Sequence, residues 1–193
     1  FAVGLDPERR FLLEGKARDN ADDLIQSIGE SIPLRDDTFD LVLLFEVLEH
    51  VIEPDVVLDE INRVLKHDGI VFLTVPNRFY LLETHGIQVG DKEVRNLLGK
   101  GIPFFSLAPN FLRRRLERAR IYSEAEVVSL LRKHHFEPFI LEYMMPPLDE
   151  MRQTSLTRAI RKVFLSLSKV PMIEKLGANI MVISKKQLIG GVS

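Results

Sequence analysis

The chain contains no cysteine, which excludes disulfides, thiolate nucleophiles, cysteine-ligated zinc and thiol redox chemistry. This absence suits a reducing compartment, and a cytoplasmic location is expected. Long apolar runs are missing too. Nothing approaches the roughly 18 residues that a membrane-spanning helix needs, and the apolar opening of the chain is too short for the core of a signal peptide. A soluble chain without stable membrane insertion is therefore expected. Excess positive charge is also lacking: 26 Lys and Arg stand against 28 Asp and Glu, for a formal net charge of −2. That is not the footprint of a protein that neutralises many phosphates, so no nucleic-acid substrate is expected. What is present, 46% hydrophobic and 28% charged residues over 193 positions, is the balance of one globular domain large enough to bury a core.

The order of elements gives the fold class. An apolar run from Phe1 closes on Asp6 and Pro7, as a buried parallel strand meets its turn. Pro7 suits the first turn of a helix that reaches about Asn20, with Phe11, Leu12 and Leu13 as its apolar contacts. Residues 24–28 read as a second strand and 29–37 as a loop. Phe39 to Phe45 is the clearest buried strand. Residues 54–66 place Val57, Leu58, Ile61, Val64 and Leu65 at helical spacing, an amphipathic crossover. His67-Asp68-Gly69 reads as its stop, with Gly69 available for a left-handed cap, and residues 70–75 form another strand halted by Pro76. Alternating strands and helices imply parallel pairing with right-handed crossovers, an α/β domain.

Residues 77–120 break the rhythm with three glycines beyond Gly86 and with Pro103-Phe104-Phe105, and they read as an insertion. Ser123 with Glu126 three positions on is the signature of a capped helix start, and that helix runs to about His134. Residues 139–145 and 179–184 read as strands, the latter near the centre of a sheet, and 154–170 as a basic amphipathic helix covering it.

Three linked runs carry a resemblance. Residues 29–42, GESIPLRDDTFDLV, are followed by Leu48-Glu49-His50-Val51 and by residues 63–69, RVLKHDG. They resemble the AExLPFxDxSFDLV, LEHV and RVLKPGG motifs of the class I S-adenosylmethionine-dependent methyltransferases, and among them the type 11 methyltransferase domain family. The resemblance is specific over residues 3–77 and architectural from Tyr122 onward. It implies a Rossmann-like, doubly wound, mostly parallel sheet of seven strands with a final antiparallel strand and an insertion after the fifth strand. It implies S-adenosyl-L-methionine as cofactor. It also implies that the family's first strand and glycine-rich loop would precede Phe1, so that 1–193 is one domain lacking them and the chain is truncated at its N-terminus.

By the same resemblance, Asp6 lies where a carboxylate accepts both ribose hydroxyl protons; by its own sequence it also suits a cap on the helix after Pro7, and the two roles are compatible. Ile28, Gly29 and Glu30 fall where the family holds adenine. Ile28 stands at the position of a carboxylate, leaving backbone groups and apolar packing to do that work, while Glu30 equally suits a solvated loop acid. Phe45 and Glu46 fall beside the methionine portion of the cofactor, Glu46 being equally suited to a solvated helix-start acid. An oxygen nucleophile profits from a base, and His85 and His50 are the candidates. His50 reads also as a structural residue at the crossover helix, and His85 as a plain loop residue. Asn77, Tyr80 and His85 fall where an acceptor pocket would lie. The insertion, rich in phenylalanine and arginine, fits a lid over a small-molecule acceptor of lipid-like or anionic character, and equally fits packing onto the domain or a homodimer partner. Two further readings stand beside methyl transfer: a non-catalytic binding or assembly module on the same fold, and, far less economically, a nicotinamide-dependent oxidoreductase.

Overall fold

The computed structural model describes residues 1–18, 21–80, 87–89, 92–94, 119–144 and 175–187. The first unit is β1 (Val3–Asp6), α1 (Arg9–Ala17) and β2 (Asp23–Gln26), with β2 parallel to β1 and Asp6 opposite Gln26. The second is β3 (Phe39–Phe45), α2 (Pro54–Val64) and β4 (Leu65–Pro76), with β3 and β4 parallel. A short antiparallel hairpin follows, β5 (Ile87–Val89) and β6 (Lys92–Val94). Then come α3 (Glu124–Lys133), β7 (Phe136–Met144) and β8 (Asn179–Lys186). The larger sheet has the order β3-β4-β8-β7, and β8 runs antiparallel to both neighbours. The expected α/β class and the final antiparallel strand inside the sheet are both present. β1 and β2 form a separate pair, and among the described residues no strand joins the two sheets.

Local chemistry explains the elements. On α2, Val57, Leu58 and Ile61 are fully buried in one core cluster with β4 residues Val71, Leu73 and Val75, and Val64 is buried as well. Ser123 accepts from the Glu126 amide (3.3 Å) while a Glu126 oxygen accepts from the Ser123 amide (2.8 Å), the reciprocal cap expected of this pair. β8 buries Ile180, Val182 and Ser184 in alternation, as a strand covered on that face must.

Several expectations need correction. α1 begins at Arg9, two residues after Pro7, and buries nothing: Phe11 and Leu13 are exposed, the former under the Arg10 guanidinium at 4.6 Å from its ring centroid. The second strand ends at Gln26, because Ser27 turns its hydroxyl onto the Ser31 carbonyl (2.6 Å) and starts the loop. His67-Asp68-Gly69 is an irregularity inside β4. Phe39 pairs with Leu65 and Leu41 already with Ile70, so the intervening residues bulge out. The left-handed residue there is Asp68 (φ 63°), and Gly69 is needed for space instead, since a Cβ would lie 2.8 Å from the Lys66 carbonyl oxygen. β3 is buried on one face only: Val42 and Leu44 point inward, while Leu41, Leu43 and Phe45 are 49%, 52% and 51% exposed. The helix expected over 154–170 and most of the 77–120 insertion, His85 included, lie outside the described residues.

Candidate functional site

In an open α/β sheet the loops at the carboxyl ends of parallel strands bound the ligand crevice. Asp6 closes β1 at that edge. Its Oδ1 accepts from the Glu8 amide at 2.7 Å, which closes the turn ahead of α1, and among the described residues this is the only hydrogen bond on the Asp6 carboxylate. The N-cap is Glu8 and no side chain caps this helix, so the expected cap by Asp6 is not formed. On the neighbouring strand, the Ser27 amide donates to the Asp6 carbonyl (3.3 Å), which leads the chain into half-exposed Ile28 and then Gly29. Gly29 packs on Val57, whose methyls would lie 3.3 Å from a Cβ there. The Glu30 side chain is committed elsewhere. Its Oε1 accepts from the amides of Ile52 (3.0 Å) and Glu53 (3.3 Å), satisfying donors that precede α2.

One residue that sequence reasoning did not single out organises this loop. Arg63, near the end of α2, reaches back with its whole guanidinium: Nη1 donates to the Leu34 carbonyl (2.8 Å) and to Asp36 (2.7 Å), Nη2 to the Ile32 carbonyl (2.8 Å) and to Glu60 (2.8 Å), and Nε to the other Glu60 oxygen (2.7 Å). Glu60 also accepts from the Ile32 amide at 2.8 Å. Hydrogen bonding with Arg63 lowers the Glu60 pKa, and Glu60 followed by Asp36 raises that of Arg63. The last carbonyls of α2 are met from the same loop, Arg63 by the Asp37 amide (2.9 Å) and Val64 by Thr38 (2.8 Å). The signal was available, since Arg63 opens the RVLKHDG run, but its targets lie about 30 residues upstream, at sequence separations of 27 to 31.

At the end of β3, Phe45 is half exposed and packs edge-on against Phe72 at 5.0 Å between centroids. Glu46 follows with φ 54°, in the left-handed region. Its Oε1 accepts from Thr74 Oγ1 (2.7 Å) and Asn179 Nδ2 (2.9 Å), and its amide donates to Thr74 Oγ1 (3.1 Å). Neither Thr74 nor Asn179 was singled out from sequence. His50 lies in the loop after β3 with its side chain 51% exposed and Nε2 3.7 Å from Oε1 of the buried Glu49 carboxylate.

Asn77 does not offer its amide to a pocket. It is buried, its Nδ2 donates to the carbonyls of Lys175 (2.9 Å) and Gly177 (2.7 Å), and its Oδ1 accepts from the Phe79 amide (3.0 Å). It staples the turn that starts β8. Tyr80 is partly buried, which raises its pKa. An open cleft of about 520 Å³ lies beside the start of α2, between Ile52, Glu53, Asp55, Arg120 and Tyr122. None of the residues picked from sequence lines it. Tyr122 is the buried wall there, its hydroxyl donating to the Leu48 carbonyl (3.3 Å) and its pKa pushed up to about 12 by burial. Among the described residues no helix is long and apolar enough to cross a membrane.

Comparison with known proteins follows from this geometry. A family profile described as a methyltransferase domain matches residues 1–73. No curated protein matches the chain by sequence. Similar solved structures include a SAM-dependent methyltransferase from Thermotoga maritima (TM-score 0.59, 19% identity, covering 97% of this chain and 73% of that one). An S-adenosylmethionine-dependent methyltransferase from Mesorhizobium loti matches with TM-score 0.61, 14% identity and coverage of 95% and 79%. A chain from the complex between the Haloferax volcanii Trm112 methyltransferase activator and a methyltransferase matches with TM-score 0.60, 14% identity and coverage of 98% and 72%. At such identities the likeness is one of fold. A methyltransferase-domain match over residues 1–73 thus stands beside a likeness of fold to S-adenosylmethionine-dependent methyltransferases across nearly the whole chain.

Proposed function

We propose that the protein transfers a methyl group from S-adenosyl-L-methionine to an oxygen of a small acceptor, with the cofactor held along the carboxyl ends of β1, β2 and β3. The observation that carries this reading is the placement of Asp6, the 27–30 loop and Glu46 at the carboxyl ends of parallel strands, where α/β sheets bind ligands. The residues fit the group. Asp6 spends one oxygen on Glu8 and keeps the other for ribose hydroxyls. Ile28 presents an apolar face to adenine, and the backbone of Gly29 and Glu30 supplies polar contacts, the Glu30 side chain being occupied at α2. Phe45 and Glu46 flank the methionine portion.

The bound sulfonium supplies an already activated methyl group, so the protein's share of the work is alignment and exclusion of water. His85 of the insertion is the first candidate for the base that takes the proton from an acceptor hydroxyl, and His50, on the loop after β3, the second. We place residues 77–120 as a lid whose apolar and basic side chains select a lipid-like or anionic acceptor. β1 and β3 each keep an unpaired edge among the described residues. A soluble cytoplasmic homodimer completes the reading. The alternative, a non-catalytic module on this fold, is separated by one experiment: calorimetric titration of the full-length protein and its Asp6→Ala variant with S-adenosylhomocysteine. Binding near the micromolar range, about −8 kcal/mol, that the variant loses supports the enzyme; no binding by the folded wild type leaves the module.

A further inference from the structure

We propose that Glu46 reads the positive charge of the donor sulfonium, so that the site prefers S-adenosylmethionine over its neutral thioether product, and that Thr74 and Asn179 are positioning residues for that carboxylate. The inference rests on the cofactor reading above. Glu46 is fixed from three strands at once. Its backbone leaves β3 in the left-handed region (φ 54°), a conformation that a side-chain-bearing residue adopts only when its surroundings compel it. The buried Thr74 hydroxyl from β4 supplies the constraint: it accepts from the Glu46 amide (3.1 Å) and donates to Oε1 (2.7 Å), tying backbone to side chain. Asn179, at the start of β8, donates to the same oxygen (2.9 Å).

Both bonds fall on Oε1, which leaves Oε2 uncommitted among the described residues. The donors are neutral, and among the described residues no Lys, Arg or His lies within ion-pair distance of Glu46. Several other acids around the sheet have a cation beside them: Glu60 and Asp36 have Arg63, Asp55 has Lys133, Asp40 has Lys66 and Glu126 has Arg78. A partly buried carboxylate held by neutral hydrogen-bond donors, with no cation beside it among the described residues, gains most from a ligand that brings one. The sulfonium carries that charge and the thioether does not.

The test is calorimetric titration of the full-length protein with S-adenosylmethionine, S-adenosylhomocysteine and sinefungin, whose ammonium replaces the sulfonium. In Glu46→Gln the preference for the two charged ligands over S-adenosylhomocysteine, taken as a ratio within the variant, falls about five- to tenfold, and Glu46→Asp retains part of it. Thr74→Val lowers the same ratio and Thr74→Ser restores it, a pattern that a merely structural threonine would not give. An unchanged ratio in a folded Glu46→Gln variant that still binds S-adenosylhomocysteine overturns the role of Glu46 alone. Failure of the wild type to bind any of the three overturns the cofactor reading itself.

Discussion

Removing the Arg63 guanidinium tests whether the loop between β2 and β3 is held by this one side chain. Arg63 is 31% exposed, Glu60 21% and Asp36 69%. The Asp36 arm is therefore a solvent-screened pair worth between nothing and about 1 kcal/mol. The bidentate contact with Glu60 and the two backbone carbonyls are better shielded; at about 1 kcal/mol net per hydrogen bond, with a discount for partial exposure, they sum to about 3 kcal/mol. Arg63→Ala also strands Glu60 beside the Ile32 amide without its cation, so the cost does not fall below that sum. Arg63→Lys keeps the charge but loses the planar fork and recovers only part of it. For a chain of this size each kcal/mol moves Tm by about 2–4 °C, so Arg63→Ala should melt about 6–12 °C lower by differential scanning calorimetry. Because the pinned loop begins at Gly29 and Glu30, S-adenosylhomocysteine affinity should fall with it, about three- to tenfold at a temperature where the variant is folded. A variant that melts within about 1 °C of wild type would show that the five hydrogen bonds are exchanged for water at no cost, and the loop would need another anchor.

Three further outcomes follow from the same geometry. Leu58→Ala, at a position with no exposed surface, should lose about 2–5 kcal/mol in urea unfolding; a loss under about 1 kcal/mol would mean that α2 does not pack on β4 as described. The Tyr122 phenol, raised by burial from 10.0 to about 12, contributes stability that is complete below pH 10 and is lost as pH rises through 12. Tyr122→Phe should therefore flatten the alkaline fall in Tm over that window, and an unaltered limb would place the tyrosine in water. On the acid side, Asp55 is lowered from 3.8 first by Lys133 (2.6 Å) and then by His134, whose ring nitrogens lie 2.8 Å from Asp55 and 2.6 Å from Asp59. Its contribution is present above that unfolded value and fades as pH falls through the lowered one. Since the pair is exposed, Lys133→Ala should cost less than about 1 kcal/mol at neutral pH while making the acid limb of a Tm-against-pH curve shallower; a parallel limb would refute the coupling.

What was legible in the sequence was what short-range chemistry determines. The continuous aliphatic run of β3, the helical spacing of Val57, Leu58 and Ile61, and the Ser123–Glu126 cap each need only neighbours within a turn or a strand, and each is present where expected. The misreadings come from places where a distant partner decides. Gly69 looks like a helix cap until β4 is paired with Phe39, which turns its segment into a bulge. Asn77 looks free to meet a ligand until the 175–177 turn returns to claim its amide. Phe11 and Leu13 look like core because they are the large apolar side chains of their helix, yet both are exposed among the described residues.

The candidate site divides along the same line. Its acids could be named because a resemblance marks where acids stand, but the groups that aim them could not. Thr74 is 28 positions from Glu46 and Asn179 is 133, and neither residue type signals anything alone. Arg63 is the intermediate case, visible as part of a motif and silent about its purpose until the loop folds back over α2. The consequence is an order of trust among variants. Substituting an acid at the carboxyl edge tests a ligand contact, whereas substituting Thr74, Asn179 or Arg63 tests the scaffold that gives the contact its direction. Only the comparison of the two, in one titration series, separates binding from the geometry that makes binding selective.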